Sequence, residues 1–204
     1  MLADLYLDKV DICRYWPAAG EMTCAAFQEN WAAGKVRKED YPFLTVRQWR
    51  LFKLVLEAGT YLTPVPMLTV PRPTEAGLFP LNGPGADSLV IVTGNNQYTF
   101  ELLATVWSQG ITPAHFLLVN CLGNTVDMAM VYGEFTPERL ARAVTETGLK
   151  ERVKHRHLIV PGVTEPLADE FAAATRWEIE VGPLCALELP LFLGDRWMLP
   201  AGLE

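Results

Sequence analysis

The stretch Ser88-Leu-Val-Ile-Val-Thr-Gly-Asn-Asn96 restricts the fold more than any other part of the chain. Its apolar run, 89–92, is too short for a helix and breaks into small polar residues just before a helical pattern begins. A buried parallel strand that delivers its C-terminal loop toward a ligand has this form. The pattern recurs downstream, which places expected strands at 89–92, 116–119, 158–160 and 178–181. Helical stretches alternate with them, at about 98–109, 125–132, 137–147, 166–175 and 186–193. Alternation of this length implies right-handed crossovers and an α/β fold, an open parallel sheet with helices on both faces.

The chain upstream has a different texture. Residues 23–33 read as a short amphipathic helix stopped by Gly34. Residues 46–58 read as a second, with Trp49, Leu51, Phe52, Leu54 and Val55 as its apolar positions and Gly59 at its end. Between the two textures lie Pro64, Pro66, Pro71, Pro73, Pro80 and Pro84, with Gly77, Gly83 and Gly85 among them. Proline lacks the N–H donor and holds φ fixed, so this segment is expected to be extended, with at most short edge strands near 61–62 and 67–70. The expected organisation is a small helical domain over 1–58, a Pro-rich linker over 59–84 and an α/β domain over 85–204.

A net charge of -7 and the lack of a Lys/Arg cluster argue against a nucleic-acid or anionic-membrane surface. The densest basic group, Lys35, Arg37 and Lys38, is followed at once by Glu39 and Asp40. No apolar run approaches the roughly 18 residues of a membrane span, and the first ten residues do not form a signal peptide. The four cysteines, Cys13, Cys24, Cys121 and Cys185, are too few and too scattered for a disulfide scaffold. These features imply a soluble cytoplasmic protein.

The four strand ends read Thr93-Gly94-Asn95-Asn96, Asn120-Cys121-Leu122-Gly123-Asn124, Pro161-Gly162-Val163-Thr164 and Gly182-Pro183-Leu184-Cys185. Each offers glycine or small polar groups where a backbone can approach a ligand. The same residues also serve as ordinary turn formers and N-caps. Neither G-x-G-x-x-G nor a P-loop is present, which lowers dinucleotides and nucleoside triphosphates. Asn124 with Asp127 forms a capping pattern before a helix that is then nearly all small or apolar: Met128, Ala129, Met130, Val131 and Tyr132. Such a helix needs a cover, either core, a partner protein or a large flat hydrophobic cofactor. His155 and His157 alternate toward one face, with Lys154 and Arg156 on the other, and no carboxylate or cysteine nearby completes a metal set. No arrangement of Ser, His, Asp, Cys or paired carboxylates marks a hydrolytic site, so no catalytic residue is assigned.

These segments resemble the large (gamma) subunit of the corrinoid iron–sulfur protein of the CO dehydrogenase/acetyl-CoA synthase pathway. The likeness is carried by Val90-Ile-Val-Thr-Gly-Asn95, by Gly123-Asn-Thr-Val-Asp-Met-Ala-Met-Val-Tyr-Gly-Glu-Phe135, by His155-Arg-His-Leu-Ile-Val-Pro-Gly162, and by Val181-Gly-Pro183 followed by Leu189-Pro-Leu-Phe-Leu193. That family opens with a four-cysteine cluster motif, and Met22-Thr-Cys24-Ala-Ala-Phe27, Ala33-Gly34-Lys35 and Tyr41-Pro42-Phe43 keep its frame. The ligand positions read Trp16, Ala19, Cys24 and Tyr41, so the resemblance implies a relic domain without an iron–sulfur cluster. The family's central barrel is absent, and the Pro-rich segment stands in its place.

The resemblance implies a flavodoxin-like domain holding a base-off cobalamin above the strand ends. Carried over by position, Thr93, Gly94, Asn95 and Asn96 line the tail pocket. Asn120, Gly123, Pro161, Gly162, Gly182 and Pro183 belong to the sister loops. The helix from Thr125, with Val126, Met128 and Ala129, caps the corrin face. The related corrinoid protein of mercury methylation has a cobalt-ligating cysteine in that helix. Here no cysteine and no Asp-x-His-x-x-Gly motif is found, so no protein ligand to cobalt is expected. The implied function is a corrinoid methyl carrier working with a separate methyltransferase or barrel partner. The rival reading is a cofactor-free interaction module that kept the fold.

Overall fold

The computed structural model describes residues 10–17, 23–62 and 71–202. Five strands form one sheet: β1 (Gly77–Leu81), β2 (Leu89–Gly94), β3 (Ala114–Val119), β4 (His157–Val160) and β5 (Glu178–Val181), in the order β1-β3-β2-β4-β5. Strands β2 to β5 pair in parallel, and β1 pairs antiparallel with β3. The α/β class is therefore as the alternation implied, and the sheet is mixed where a wholly parallel one was expected. The extra strand falls inside the segment read as linker. Pro80 hides it from a sequence reading, since proline cannot donate to a ladder; an edge strand with one unpaired side tolerates it. The expected edge strand at 61–62 is the end of a helix, and the one at 67–70 lies outside the described residues.

Nine α-helices accompany the sheet among the described residues: α1 (Cys24–Ala32), α2 (Val46–Leu56), α3 (Ala58–Tyr61), α4 (Gln97–Trp107), α5 (Val126–Val131), α6 (Pro137–Glu146), α7 (Leu149–Arg152), α8 (Ala168–Thr175) and α9 (Leu189–Leu193). Their starts follow local chemistry. Thr45 and Gln48 close a capping box on α2, Asn96 caps α4 through Thr99 N, and Thr136 caps α6 with Pro137 at its first turn.

Alternation along the strands divides the core into two layers. Val90, Val92, Leu117, Val119, Leu158 and Val160 face one side with Ala129, Leu140, Val144 and Phe171 from α5, α6 and α8. Ile91, Phe116, Leu118 and Ile159 face the other with Leu103, Val106 and Trp107 of α4. This second layer continues without a break into the N-terminal helical segment, through Leu187, Leu191 and Trp197 to Phe27, Leu51, Phe52 and Val55. Polar ties cross the same boundary. The Tyr15 hydroxyl donates to Glu188 at 3.0 Å, Asp11 N donates to it at 3.3 Å, and Arg47 donates to Gly194 O at 2.8 Å.

Within the helical segment, the positions that the resemblance set against cluster ligands take part in ring packing and a disulfide. Trp16 packs on Phe27 with ring centroids 4.7 Å apart, Tyr41 packs on Phe27 at 4.9 Å, and Cys24 is disulfide-bonded to Cys13. Ala19 lies outside the described residues. One local disulfide is thus present where the cysteine count predicted no disulfide scaffold: the Cα atoms of Cys13 and Cys24 lie 5.4 Å apart, within bridging range despite their sequence separation of 11.

Candidate functional site at the carboxyl ends of the strands

Strand β3 lies on one side of β2 and β4 on the other, so the connections leaving β2 and β4 diverge. A doubly wound sheet forms its ligand crevice at this kind of switch point. The loops after β2, β3, β4 and β5 all gather at that end.

Asn95 organises the first two loops. Its side-chain Oδ1 accepts from Cys121 N at 2.7 Å and Gly123 N at 3.2 Å, while Nδ2 donates to Thr74 O at 2.9 Å. Asn96 donates from Nδ2 to Gly123 O at 2.7 Å and accepts from Thr99 N at 3.1 Å. Residues 71–76 form a strap over these loops. Arg72 N donates to Gly123 O at 2.8 Å, Gln97 N donates to Arg72 O at 2.9 Å, and Pro73 bridges Asn96. Gly123 has φ +80°, and a Cβ there would lie 2.3 Å from Pro73 N. Only glycine fits beneath the strap.

The other two loops close on each other. Gly162 N donates to Pro183 O at 2.9 Å, and a Cβ on Gly162 would lie 2.7 Å from Gly182 O. Gly182 N donates to Val160 O at 2.8 Å, and the Thr164 hydroxyl to Pro161 O at 2.7 Å. Gly94 sits under the start of α5, where an added Cβ would be 3.3 Å from Asn124 O and 3.4 Å from Val126 Cγ2.

The structure therefore brings the expected residues together as two tight groups. Gly94, Asn95 and Asn96 join Gly123 and Val126 in one, and Pro161, Gly162, Gly182 and Pro183 form the other, while strand alternation puts Thr93 on the opposite face of the sheet from Gly94 and Ala129. Thr93, Asn95, Asn96, Val126 and Ala129 are buried. Asn120 is exposed, Met128 is half-buried, and Thr125, the N-cap of α5, makes no side-chain capping bond. Cys121 is fully buried, and burial pushes its thiol up to about 12, so it stays protonated at neutral pH. Of the histidines, His155 bonds Ser88 O at 2.8 Å and His157 pairs with Glu180 at 3.2 Å, while burial holds the pKa of His115 down. Among the described residues, no group of three His, Cys, Asp or Glu side chains could hold a metal ion, and no helix is long and apolar enough to cross a membrane.

Large apolar side chains are exposed on the segments that follow β3 and β5, and these form the apolar rim of the site. Seven large hydrophobic side chains are exposed among the described residues; Leu122 (54%) and Leu184 (71%) stand in the loops after β3 and β5, and Val131 (75%) and Tyr132 (60%) at the end of α5. Leu122 is presented from a backbone with φ +56°, a conformation that costs a branched residue about 1–2 kcal/mol. Beside it opens a cavity of about 460 Å³ lined by Gly77, Leu118, Asn120, Leu122, Arg139 and Arg142, with Arg139 bonded to Asn120 O at 2.9 Å. Sequence reasoning missed the strap, which looked like linker. Its one signal is Arg72 between Pro71 and Pro73, an extended tripeptide whose middle residue keeps both backbone hydrogen-bonding groups.

Residues 44–193, which span all five strands, match the family described as the CO dehydrogenase/acetyl-CoA synthase delta subunit. The chain belongs to this family. It is also 28% identical over 155 residues to the acetyl-CoA decarbonylase/synthase complex subunit gamma of Methanopyrus kandleri, covering 76% of this chain and 33% of that protein. The subunit gamma of Archaeoglobus fulgidus is 29% identical over 127 residues, 62% of this chain and 27% of its own length. The corrinoid/iron-sulfur protein large subunit of Moorella thermoacetica is 29% identical over 114 residues, 56% of this chain and 26% of its own. The chain thus spans a third or less of the length of these relatives.

Proposed function

We propose that this family member is a corrinoid-binding protein of one-carbon metabolism that holds a base-off cobalamin against the apolar rim and acts as a methyl carrier or accessory protein beside a larger partner subunit. The observation that carries the reading is the exposure of the large apolar side chains Leu122, Val131, Tyr132 and Leu184 on the segments that follow strands β3 and β5. A flat, largely apolar macrocycle is a fitting cover for such side chains, since exposed large apolar groups beside a strand-end crevice suit an apolar ligand. The relatives named as a corrinoid/iron-sulfur large subunit and as complex subunits support the same class of ligand and a multi-subunit setting.

The residues present fit the ring better than the tail. Met128 and the rim side chains would lie against the ring, and Thr125, whose side chain makes no capping bond, would meet a polar substituent. Asn95 and Asn96 have their amides spent on the chain's own backbone, so in this arrangement they shape the pocket wall and do not grip the ligand. When bound, the group supplies a cobalt centre able to accept and pass on a methyl group; the chain's part is positioning and exclusion of water. With Cys24 held in a disulfide, and Trp16 and Tyr41 packed in an aromatic core, we further propose that no iron–sulfur cluster is carried.

A specific observation favours a second reading. The internal bonding of both asparagines and the Gly162–Gly182 packing leave the loops complete without a ligand, as a cofactor-free docking module requires. Incubation with hydroxocobalamin followed by gel filtration separates the two. Corrin absorbance with base-off bands travelling with the protein supports the carrier, and a colourless protein overturns it in favour of the docking module.

A further inference from the structure

We propose that Cys13–Cys24 is a reversible thiol–disulfide exchange site, reduced by a dithiol, whose state sets how firmly the segment Asp11–Tyr15 is clamped to the fold. Cys13 is exposed and Cys24 is buried, so an incoming thiolate reaches only one sulfur. Attack on Cys13 Sγ forms a mixed disulfide and releases Cys24 as a thiolate, which takes up a proton. The second thiol of the reductant then displaces Cys13, leaving two protein thiols and an oxidised dithiol: two electrons and two protons transferred in all. Cys121 and Cys185 are buried, which keeps them out of the exchange.

The clamp has a defined load. The 3-10 turn Ile12–Tyr15 packs against both α1 and α9, and the disulfide ties it to the first residue of α1. The same turn carries the fully buried Ile12 and, with Asp11, the two donors that meet the carboxylate of Glu188, itself 2% exposed. These contacts do not need the disulfide, so reduction loosens the turn without freeing it. Loss of the clamp widens the motions available to Tyr15 and to Trp16, whose ring packs on Phe27 and Phe52. The redox state of one exposed bond is thereby read out where the helical segment joins the α/β layer.

The test compares the full-length protein before and after dithiothreitol, alkylating with iodoacetamide under native conditions and mapping the label by peptide mass. Without reductant, neither Cys13 nor Cys24 takes label; after reduction, Cys13 labels first. Reduction lowers Tm by about 5–10 °C, as expected for opening a short loop in a chain of this size, shifts tryptophan emission, and is reversed by re-oxidation. Cys13→Ser, at an exposed position, reproduces the lowered Tm and no longer responds to dithiothreitol. Labelling of Cys13 in air-oxidised protein overturns the proposal. So does a reduced protein, or a Cys13→Ser variant, with unchanged Tm and emission.

Discussion

Around Phe27 the chain is held by rings, and around Asn95 it is held by amides. Trp16, Tyr41, Trp49 and Phe52 all approach the Phe27 ring, with centroids between 4.7 and 6.3 Å away. At Asn95 a single side chain makes three hydrogen bonds that join the strap, the β2 loop and the β3 loop. Ring packing is strong but weakly directional, so it fills a space without fixing a backbone path. Amide bonding fixes the path, and that suits loops that must present a surface at a set place. The first region closes a core; the second builds a platform.

Four substitutions break or sharpen that contrast, the largest effect first. Phe27→Ala removes the centre of the aromatic cluster and should cost about 3–5 kcal/mol, read from the denaturant midpoint. A cost below about 1 kcal/mol would show that the cluster is not a single packing unit. Asn95→Leu strands the Cys121 and Gly123 N–H groups and the Thr74 carbonyl, at about 2–3 kcal/mol. Hydrogen exchange at the amides of Cys121 and Gly123 should rise with it, and unchanged protection would refute the role assigned to Asn95.

Glu188→Gln tests the join between the regions through pH. Burial raises the Glu188 carboxyl above its ordinary 4.5, against the opposing pull of Asp11 N–H and the Tyr15 hydroxyl. The folded chain then holds this proton more tightly than the unfolded chain does. Stability from this group is therefore greatest below about 4.5 and is lost as pH rises through the raised value. The variant should show a smaller fall in Tm from acid to neutral pH than the parent, and parallel curves would remove Glu188 as the cause. Arg72→Ala has the smallest expected effect. It deletes a hydrogen bond to the Tyr98 hydroxyl and a guanidinium 5.0 Å from that ring, worth about 0.5–1 kcal/mol at an exposed site. Its strap bonds run through the backbone and should survive, so loss of protection at the Thr74 and Gln97 amides would mean the Arg72 side chain, too, holds the strap.

Much of the fold was legible in the sequence because its signals are local. The apolar runs from 89, 116, 158 and 178 became β2 to β5, the Pro137 start of α6 stands where the pattern put it, and the helix expected over 23–33 is α1. Strand β1 was not legible, since Gly77 and Pro80 give it the composition of a loop and only pairing with β3 makes it a strand. The Cys13–Cys24 bond was equally hidden, because a disulfide depends on two positions meeting in space.

The candidate site divides in the same way. Composition and alternation determined an α/β layer whose strands end in glycine, asparagine and proline, while the family is shown by the match over residues 44–193. The tertiary structure alone decided what those residues do. Asn95 is two residues from a polar strand end on paper, yet its amide reaches Thr74 and Gly123, 21 and 28 positions away. Leu122 and Leu184 look like core residues until the loops turn them outward. Hydrophobic periodicity is written along the chain, while hydrogen-bond partners and exposure are set only when distant segments converge.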